Sequence, residues 1–264
     1  MTAILWLPPV IRALATALIV VSASALAETL GPFWGALIAS LPVSAGPAYV
    51  FLAMQHDPGF VAASALSSCA ANAATGLFLI VYGLLAVRLA PWRGLGIAVG
   101  VWLLASLAIR AVVWSAPWAL ILNLAVYGVG FALPGVEAGL VAAPGLRRGR
   151  FDLLVRAVAV AAFVSIVVAA SATLGAAATG IAAVFPISLI SLIVIVRPRI
   201  GGAGASMLAA SALRAMLGFG IMLLVLHLLV RPLGIAGALI AALLTCLLWS
   251  GGLLWQRARW ASAR

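Results

Sequence analysis

The chain has 264 residues, of which 67% are hydrophobic and 7% charged, and its formal net charge is +11. This composition excludes a soluble globular fold, because no such fold hides so much apolar surface. The basic residues form no stripe interleaved with aromatic residues, so nucleic acid is not expected as a partner.

The apolar runs are mostly longer than the roughly 20 residues that cross a bilayer, which predicts an all-α, polytopic membrane protein. Their lengths, and the Pro, Gly and Arg residues between them, predict about nine transmembrane helices. The predicted helices cover residues 10–28, 30–54, 60–87, 95–114, 117–134, 153–172, 174–196, 203–230 and 233–254. Membrane lipid is therefore an expected partner, and the pattern leaves the oligomeric state open, a homo-oligomer included.

The chain matches itself, without a gap, at an offset of 144 positions. Thr29–Gly31 falls on Thr173–Gly175, and Gly76 falls on Gly220. These matches predict a tandem duplication, with a linker helix and a basic cytoplasmic loop between the copies. The predicted first repeat, linker and second repeat, with four helices in each repeat, cover residues 1–116, 117–152 and 153–264.

The number of predicted spans determines how the repeats are oriented. Four spans return the chain to its starting side and the linker span carries it across, so the second repeat is predicted to be inverted. The Arg residues agree, since eleven lie on one predicted side and only Arg12, Arg110 and Arg231 on the other. The positive-inside rule then predicts that the N-terminus lies outside and the C-terminus in the cytoplasm.

The first span also imitates a secretory signal peptide, because Arg12 is followed by an apolar run and by residues 24–27, which are typical of a cleavage site. Residues 12–27 have a counterpart at 156–171, in the middle of the chain. No cleavage signal belongs there, so the first span is predicted to be retained.

The second and seventh spans contain prolines that interrupt a helix, because proline cannot donate to the helix ladder. The residues at these interruptions are Pro42, Ser44, Gly46 and Pro47 in the second span, and Pro186 and Ser188 in the seventh. Paired interruptions in inverted halves indicate the midplane site of a transporter, and the first is predicted to be the sharper. The alternative is that the prolines only kink the helices, with serine hydroxyls satisfying the freed carbonyls.

Two further polar residues lie deep in predicted spans, Asn72 in the third and Arg214 in the eighth. An Arg at the bilayer centre costs at least about 2.5 to 3.5 kcal/mol on insertion scales, so Arg214 is expected to face the bundle interior. Freed carbonyls or an anionic solute would bind it. The alternative is that Arg214 ties the seventh helix to the eighth.

Catalysis is not expected from this sequence. Only four acidic residues occur, none of them paired within a span, and no metal-binding cluster or phosphate-binding glycine loop is present. Cys69 and Cys246 lie inside apolar runs and are expected to be core residues. No cofactor and no metal are therefore predicted.

Thr179–Ser188, the apolar half-helix after it and Ala212–Ala215 resemble the GlpM family of small bacterial inner-membrane proteins. The resemblance covers residues 153–255, and members of that family are single units of the size of one repeat. It implies a location in a bacterial inner membrane and an origin by fusion of a small unit that can sit either way in the membrane. It implies no activity. The first repeat departs from the motif, with Ala70 at the position of Arg214.

These observations predict a secondary transporter or facilitator of a small polar or anionic solute, with its site between the inverted halves. The predicted solute-binding residues are Pro42, Ser44, Gly46, Asn72, Pro186, Ser188 and Arg214. One alternative is a non-transporting membrane factor that binds lipid or scaffolds an envelope enzyme. The other alternative is a small channel.

Overall fold

The computed structural model describes residues 45–133 and 152–262, together with a few positions between 11 and 22. This part of the chain contains no strand, and its helices are α1 (Ala45–Ala53), α2 (Pro58–Leu85), α3 (Pro91–Arg110), α4 (Ala116–Ala132), α5 (Asp152–Ala183) and α6 (Ile187–Ser262). The prediction of an all-α protein is confirmed.

Three helical stretches are long and apolar enough to cross a membrane, namely Pro58–Leu85, Pro91–Arg110 and Leu154–Gln256. The bundle also carries large apolar side chains on its outside, and Leu104 and Leu248, for example, are 70% and 76% exposed. A soluble protein rarely exposes such side chains over a wide surface. The helices therefore suit a membrane, as the composition predicts.

Three glycines divide α5 and α6 into shorter helical segments. Gly175, Gly201 and Gly234 have φ angles of 73°, 67° and 70° and ψ angles within about 11° of 180°, a backbone conformation that essentially only glycine adopts. They bound the segments 152–174, 176–183, 187–200, 202–233 and 235–262. A straight helix of the 76 residues in α6 would be about 114 Å long, so these interruptions are what make α6 compact.

The chain turns back on itself at each of these glycines. Across Gly175, the Thr179 hydroxyl is 3.4 Å from the carbonyl oxygen of Ser171. Across Gly234, the indole Nε1 of Trp249 donates to the carbonyl of Arg214 at 3.0 Å. On either side of Gly201, Arg197 and Gly202 both approach the carbonyl of Ala86. The segments that meet at a glycine are therefore antiparallel neighbours.

α2 is the centre of the bundle, because the nine consecutive residues Ser68–Gly76 are all buried. α3 runs antiparallel to it and packs with Trp102 beside Thr75. The segment 202–233 is also antiparallel, since His227 approaches Ala62 near the start of α2 and Ala209 approaches Gly83 near its end.

α4 and the segments 176–183 and 187–200 run parallel to α2. Asn123 and Tyr127 of α4 donate to the carbonyls of Cys69 and Asn72 in the same order along the chain. Among the described residues, α2 thus has parallel neighbours in α4 and the segments 176–183 and 187–200, and antiparallel neighbours in α3 and the segment 202–233.

The start of α2 has a local cause. The carboxylate of Asp57 accepts hydrogen bonds from the backbone amides of Gly59 at 2.7 Å and Phe60 at 3.1 Å, so it caps the helix N-terminus. Pro58 follows as the first helical residue, where its missing N–H matters least. The amides of Phe60 and Gly59 hold the pKa of Asp57 below its usual range.

Several sequence predictions extend outside the described residues. Pro42 and Ser44 lie there, while Gly46 and Pro47 form the first turn of α1, where a proline removes no ladder bond. The prediction of about nine separate transmembrane helices is not supported. The described part has six helices with assigned bounds, because the turns at Gly175, Gly201 and Gly234 contain only one residue each and leave the helix assignment continuous across them. The repeat boundaries at 116 and 153 stay predictions.

Candidate functional site

Asn72 lies at the middle of α2, fourteen residues after Pro58 and thirteen before Leu85. Its side chain is fully buried. The amide Nδ2 donates to Oδ1 of Asn123 and to the carbonyl of Met216, both at 2.9 Å. Its Oδ1 is also buried, and it accepts no hydrogen bond from the residues that the structure describes. An amide oxygen buried in this way needs a partner, because an unmade hydrogen bond at such depth is costly.

α4 supplies the other half of this polar group. Asn123 donates through Nδ2 to the carbonyls of Cys69 at 2.7 Å and Ala119 at 2.8 Å. The Tyr127 hydroxyl donates to the carbonyl of Asn72 at 3.0 Å. We call Asn72, Asn123, Tyr127 and the Met216 carbonyl the crossing cluster, since α2, α4 and the segment 202–233 meet there.

Sequence reasoning assigned α4 only a linker role and missed Asn123 and Tyr127. One signal could have found them. Asn123 and Tyr127 are four residues apart in an apolar run, so on a helix they share one face. Both are almost completely buried in the structure. α4, which the sequence predicts to be a linker, is thus part of the candidate site.

The crossing cluster is closed from one side by a glycine. A methyl group placed on Gly220 would lie 2.7 Å from Nδ2 of Asn72 and 2.9 Å from Oδ1 of Asn123. No side chain fits at such distances, so Gly220 is what lets 202–233 approach both amides.

A second polar feature follows one face of α2. Hydroxyls of Ser64, Ser68 and Thr75 donate to the carbonyls of Ala176, Gly180 and Val184, at 3.0, 2.5 and 3.3 Å. We call these three donors the hydroxyl ladder. The helices are close here, since a methyl group on Gly180 would collide with the backbone of Ser64.

The hydroxyl ladder ends at an interruption between α5 and α6. Val184, Phe185 and Pro186 are not helical, and Pro186 is buried. Val184 and Phe185 donate to the carbonyls three residues before them, at 3.3 and 2.9 Å. The carbonyl of Val184 instead accepts from Thr75. In hydrocarbon, freed carbonyls need such partners.

Aromatic side chains pack around this interruption. The indole of Trp102 donates to the Thr75 hydroxyl at 3.1 Å. Its ring meets Phe185 edge-on at 5.0 Å between centroids, and Phe163 lies 5.5 Å from Phe185. The interruption is therefore enclosed by protein on this side.

The structure brings some of the predicted site residues together and keeps others apart. Thr75 is three residues from Asn72, about 4.5 Å along the helix, so the interruption at Pro186 and the crossing cluster are neighbours on α2. Ser188 is half-buried, and its Oγ is buried without a hydrogen bond to a described residue.

Arg214 is half-buried on segment 202–233. Six residues separate it from Gly220, which places it about 120° around the helix from the glycine that faces the crossing cluster. Arg214 therefore leaves the helix on a different face from the one that meets Asn72.

Within the described ranges, no group of three or more His, Cys, Asp or Glu residues could hold a metal ion. Comparison of the chain with protein-family profiles, with curated proteins and with solved structures finds no match. The resemblance of the second repeat to the GlpM family therefore stays a prediction.

Proposed function

We propose that this chain is a multi-pass inner-membrane protein made of two inverted repeats, and that it moves a small polar or anionic solute. The proposed path passes the crossing cluster, where the two repeats meet. The observation that carries the proposal is the contact of Asn72 with Met216. These positions differ by the repeat offset, because 72 + 144 = 216, so each residue meets its own counterpart.

Helix boundaries support the duplication. α2 begins at residue 58 and the segment after Gly201 begins at 202, which is 58 + 144. α3 begins at residue 91 and the segment after Gly234 begins at 235, which is 91 + 144. Two pairs of helices therefore start in the same register.

The contacts between α2 and its copy support a two-fold axis. The Nδ1 atom of His227 lies 2.8 Å from the carbonyl oxygen of Ala62. The counterparts of this pair are Gly83 (227 − 144) and Ser206 (62 + 144), and a methyl group on Gly83 would lie 3.9 Å from the Ser206 hydroxyl. The two helices exchange roles, as a two-fold axis requires.

The direction of the helices supports inversion. Copies related by an axis along the membrane normal run parallel to each other, whereas α2 and 202–233 run antiparallel. An axis in the membrane plane gives this arrangement, and it is the symmetry of many secondary transporters.

The arginines support an orientation. Six arginines with described side chains lie at the end of the bundle that holds Ala86, namely Arg88, Arg93, Arg156, Arg197, Arg199 and Arg259. Of the described arginines, only Arg110 and Arg231 lie near the end that holds Pro58. The positive-inside rule then makes the Ala86 end cytoplasmic.

The crossing cluster suits a solute because it combines depth with an unused acceptor. Asn72 Oδ1 is buried at the centre of α2, and none of the described residues donates to it. Helix interruptions next to it, at Val184–Pro186, expose backbone groups that can rearrange. In inverted-repeat transporters, solutes bind at such a level of the membrane.

Flux through proteoliposomes tests this proposal. Glycerol and urea would be followed by osmotic swelling, and phosphate and succinate by uptake of labelled anion. We expect at least one of these probes to cross faster than through protein-free liposomes. Asn72→Leu should abolish that flux, and Ser188→Ala should reduce it.

Thr245→Val is the matched control, because the Thr245 hydroxyl donates within its own helix, to the Ala241 carbonyl at 2.8 Å. Its flux should equal that of the wild type. Circular dichroism of each variant shows that the helices are retained. Folded protein that moves none of the four probes, or Asn72→Leu that moves them normally, would contradict the proposal.

A second candidate is a non-transporting membrane factor that binds lipid. The packing of the interruption favours it, because Trp102 and Phe163 cover Phe185 and protein donors satisfy Val184. An absence of flux with retained fold would select this candidate.

A further inference from the structure

A pocket of about 90 Å³ lies at the Ala86 end of the bundle, between α2, the start of α3 and the segment 187–200. Its lining includes Tyr82, Trp92, Leu95, Ile193, Val194 and Arg197. The pocket is distinct from the crossing cluster, since Tyr82 is ten residues, or about 15 Å along the helix, from Asn72.

Arg197 is the charged residue of this pocket. The charge pattern alone counts it among the arginines of the cytoplasmic links, yet only 8% of its surface is exposed. Its Nη2 donates to the carbonyls of Ala86 at 2.7 Å and Leu89 at 3.3 Å. These bonds fix the guanidinium at the C-terminal end of α2. Its Nη1 is buried as well, and it has no hydrogen-bond partner among the described residues.

Tyr82 supplies a second donor. Its side chain is fully buried, with its ring stacked at 6.2 Å from Phe78. The hydroxyl is buried without a hydrogen-bond partner in the part of the chain that the structure describes. Buried tyrosine hydroxyls normally have a partner, so Tyr82 and Arg197 bring two unused donors to one pocket.

The chemistry of the lining indicates the ligand. A fixed guanidinium and a phenol hydroxyl both donate, and oxyanions such as phosphate accept from such groups. Most of the remaining lining is apolar, from Leu95, Ile193, Val194 and the indole of Trp92. An amphiphile with an anionic head and a hydrocarbon tail matches both parts. Basic pockets between helices at the cytoplasmic side of a membrane are typical sites for anionic lipid head groups.

We propose that the Tyr82–Arg197 pocket binds a phosphate oxyanion, carried by the head group of an anionic membrane lipid. Free phosphate offers the same oxygens, and the experiment below separates the two sources. The site stands apart from the proposed solute path, so it holds whether or not the chain transports.

Thermal unfolding of the purified full chain in a non-ionic detergent measures this binding. Phosphatidylglycerol, phosphatidylcholine or potassium phosphate is titrated, and the melting temperature is measured at each concentration. The midpoint for each compound is the concentration that gives half of the maximal shift in melting temperature. We expect phosphatidylglycerol to raise the melting temperature saturably and phosphatidylcholine to have no saturable effect. Saturation by free phosphate alone would assign the same pocket to the free ion.

Tyr82→Phe is the main variant, because it removes one hydroxyl and keeps the ring. A lost hydrogen bond to a charged group should raise the phosphatidylglycerol midpoint by about tenfold or more. Arg197→Lys should also raise the midpoint, because an ammonium cannot hold both carbonyls and the oxyanion in one fork. Tyr82→Phe keeps the test decisive if Arg197→Lys fails to fold.

Arg88→Gln is the matched control. Arg88 is exposed at the same end of the bundle, so its removal lowers the local charge without touching the pocket. Its midpoint should equal that of the wild type. An unchanged midpoint in Tyr82→Phe, or an equal loss in Arg88→Gln, would overturn the proposal.

Discussion

The helix pair α2–α3 and the pair formed by 202–233 and 235–262 begin at matching positions of the sequence, but their starts are built differently. In the first pair, Asp57 caps α2, and a proline is the first residue of each helix. In the second pair, a single glycine, Gly201 or Gly234, precedes each helix and reverses the chain. The same helix start can thus be made by a side-chain cap or by a backbone conformation.

The two pairs differ more in chemistry than in backbone. On α2, the hydroxyl ladder and Asn72 form a polar face at positions 64, 68, 72 and 75. The positions 144 residues later hold Leu208, Ala212, Met216 and Phe219. α2 lies against the carbonyls of 176–184, which need donors. Matching helix starts therefore do not carry matching chemistry, and the polar part of the candidate site lies on α2.

Disulfide cross-linking gives the largest expected effect. A Cβ on residue 83 would lie 3.5 Å from that of Ala209, within the range of Cβ separations in disulfides. Gly83→Cys with Ala209→Cys, in a Cys69→Ala/Cys246→Ala background, should cross-link almost completely on a denaturing gel.

The counterpart pair, Ala65→Cys with His227→Cys, should cross-link to a similar extent, since 83 + 144 = 227 and 65 + 144 = 209. Gly100→Cys with Ala209→Cys is the control, because nothing lies within 4 Å of a Cβ at Gly100. Cross-linking of one pair and not of its counterpart would contradict the proposed two-fold relation between the two helix pairs.

The glycine turns give the next largest effect. Gly201→Ala and Gly234→Ala should each lower the free energy of unfolding by about 1 to 3 kcal/mol, because alanine is strained at their φ and ψ angles. Space is not the reason, since nothing lies within 4 Å of either Cβ position.

Gly128→Ala is the control for the glycine turns. It also meets nothing within 4 Å, and it lies inside α4. There alanine should be neutral or stabilise by about 0.4 to 1 kcal/mol. Melting temperatures in detergent measure both effects, and equal stability of Gly234→Ala and the wild type would show that the turn is not built as described.

The polar face gives a smaller effect. Ser68 accepts from the Tyr49 hydroxyl at 2.6 Å and donates to Gly180. Ser68→Ala leaves the buried Tyr49 hydroxyl without this partner and should cost about 1 to 2 kcal/mol in thermal unfolding. Ala212→Ser, at the corresponding position of the second copy, should change stability little. Equal effects at both positions would mean that the copies do not differ here.

The smallest effect concerns the cap of α2 and depends on pH. The pKa of Asp57 is lowered in the folded protein by the amides of Phe60 and Gly59. Its stabilisation is therefore present above the ordinary carboxyl pKa of about 3.9 and is lost as the pH falls through the lowered folded value. Asp57→Asn keeps an acceptor for the amides and removes the titration.

The melting temperature of the wild type should slightly exceed that of Asp57→Asn above this range, and the difference should vanish at lower pH. A difference that stays constant from neutral to acid pH would contradict the role of the carboxylate. Gly201 stands 144 residues after Asp57, so the helix that begins at 202 has no carboxylate at this position that could titrate.

Much of the fold follows from the sequence. The apolar runs predict an all-helical protein with helices long enough to cross a membrane, although not the number of helices. The offset of 144 relates the starts of α2 and α3 to those at 202 and 235. The depth of Asn72 is also predictable, because it depends only on its distance from the ends of its run. These features need no knowledge of how the helices pack.

The rest depends on packing and is not visible in the pattern. Gly175, Gly201 and Gly234 are three of 26 glycines, and composition does not mark the ones with positive φ. The sequence places Arg197 among the arginines between two apolar runs, where an exposed side chain is expected. In the structure its side chain is buried and donates to the carbonyls of Ala86 and Leu89. Asn123 gains its role only because α4 lies beside α2.

The single-glycine turns also limit how this molecule can move. Consecutive Cα atoms are 3.8 Å apart, so a connector of one residue allows two helices to pivot but not to slide past each other. The helical segments on either side of Gly201 and Gly234 can thus change the angle between them but cannot slide along each other. Any conformational change within 187–262 should therefore consist of changes in these interhelical angles.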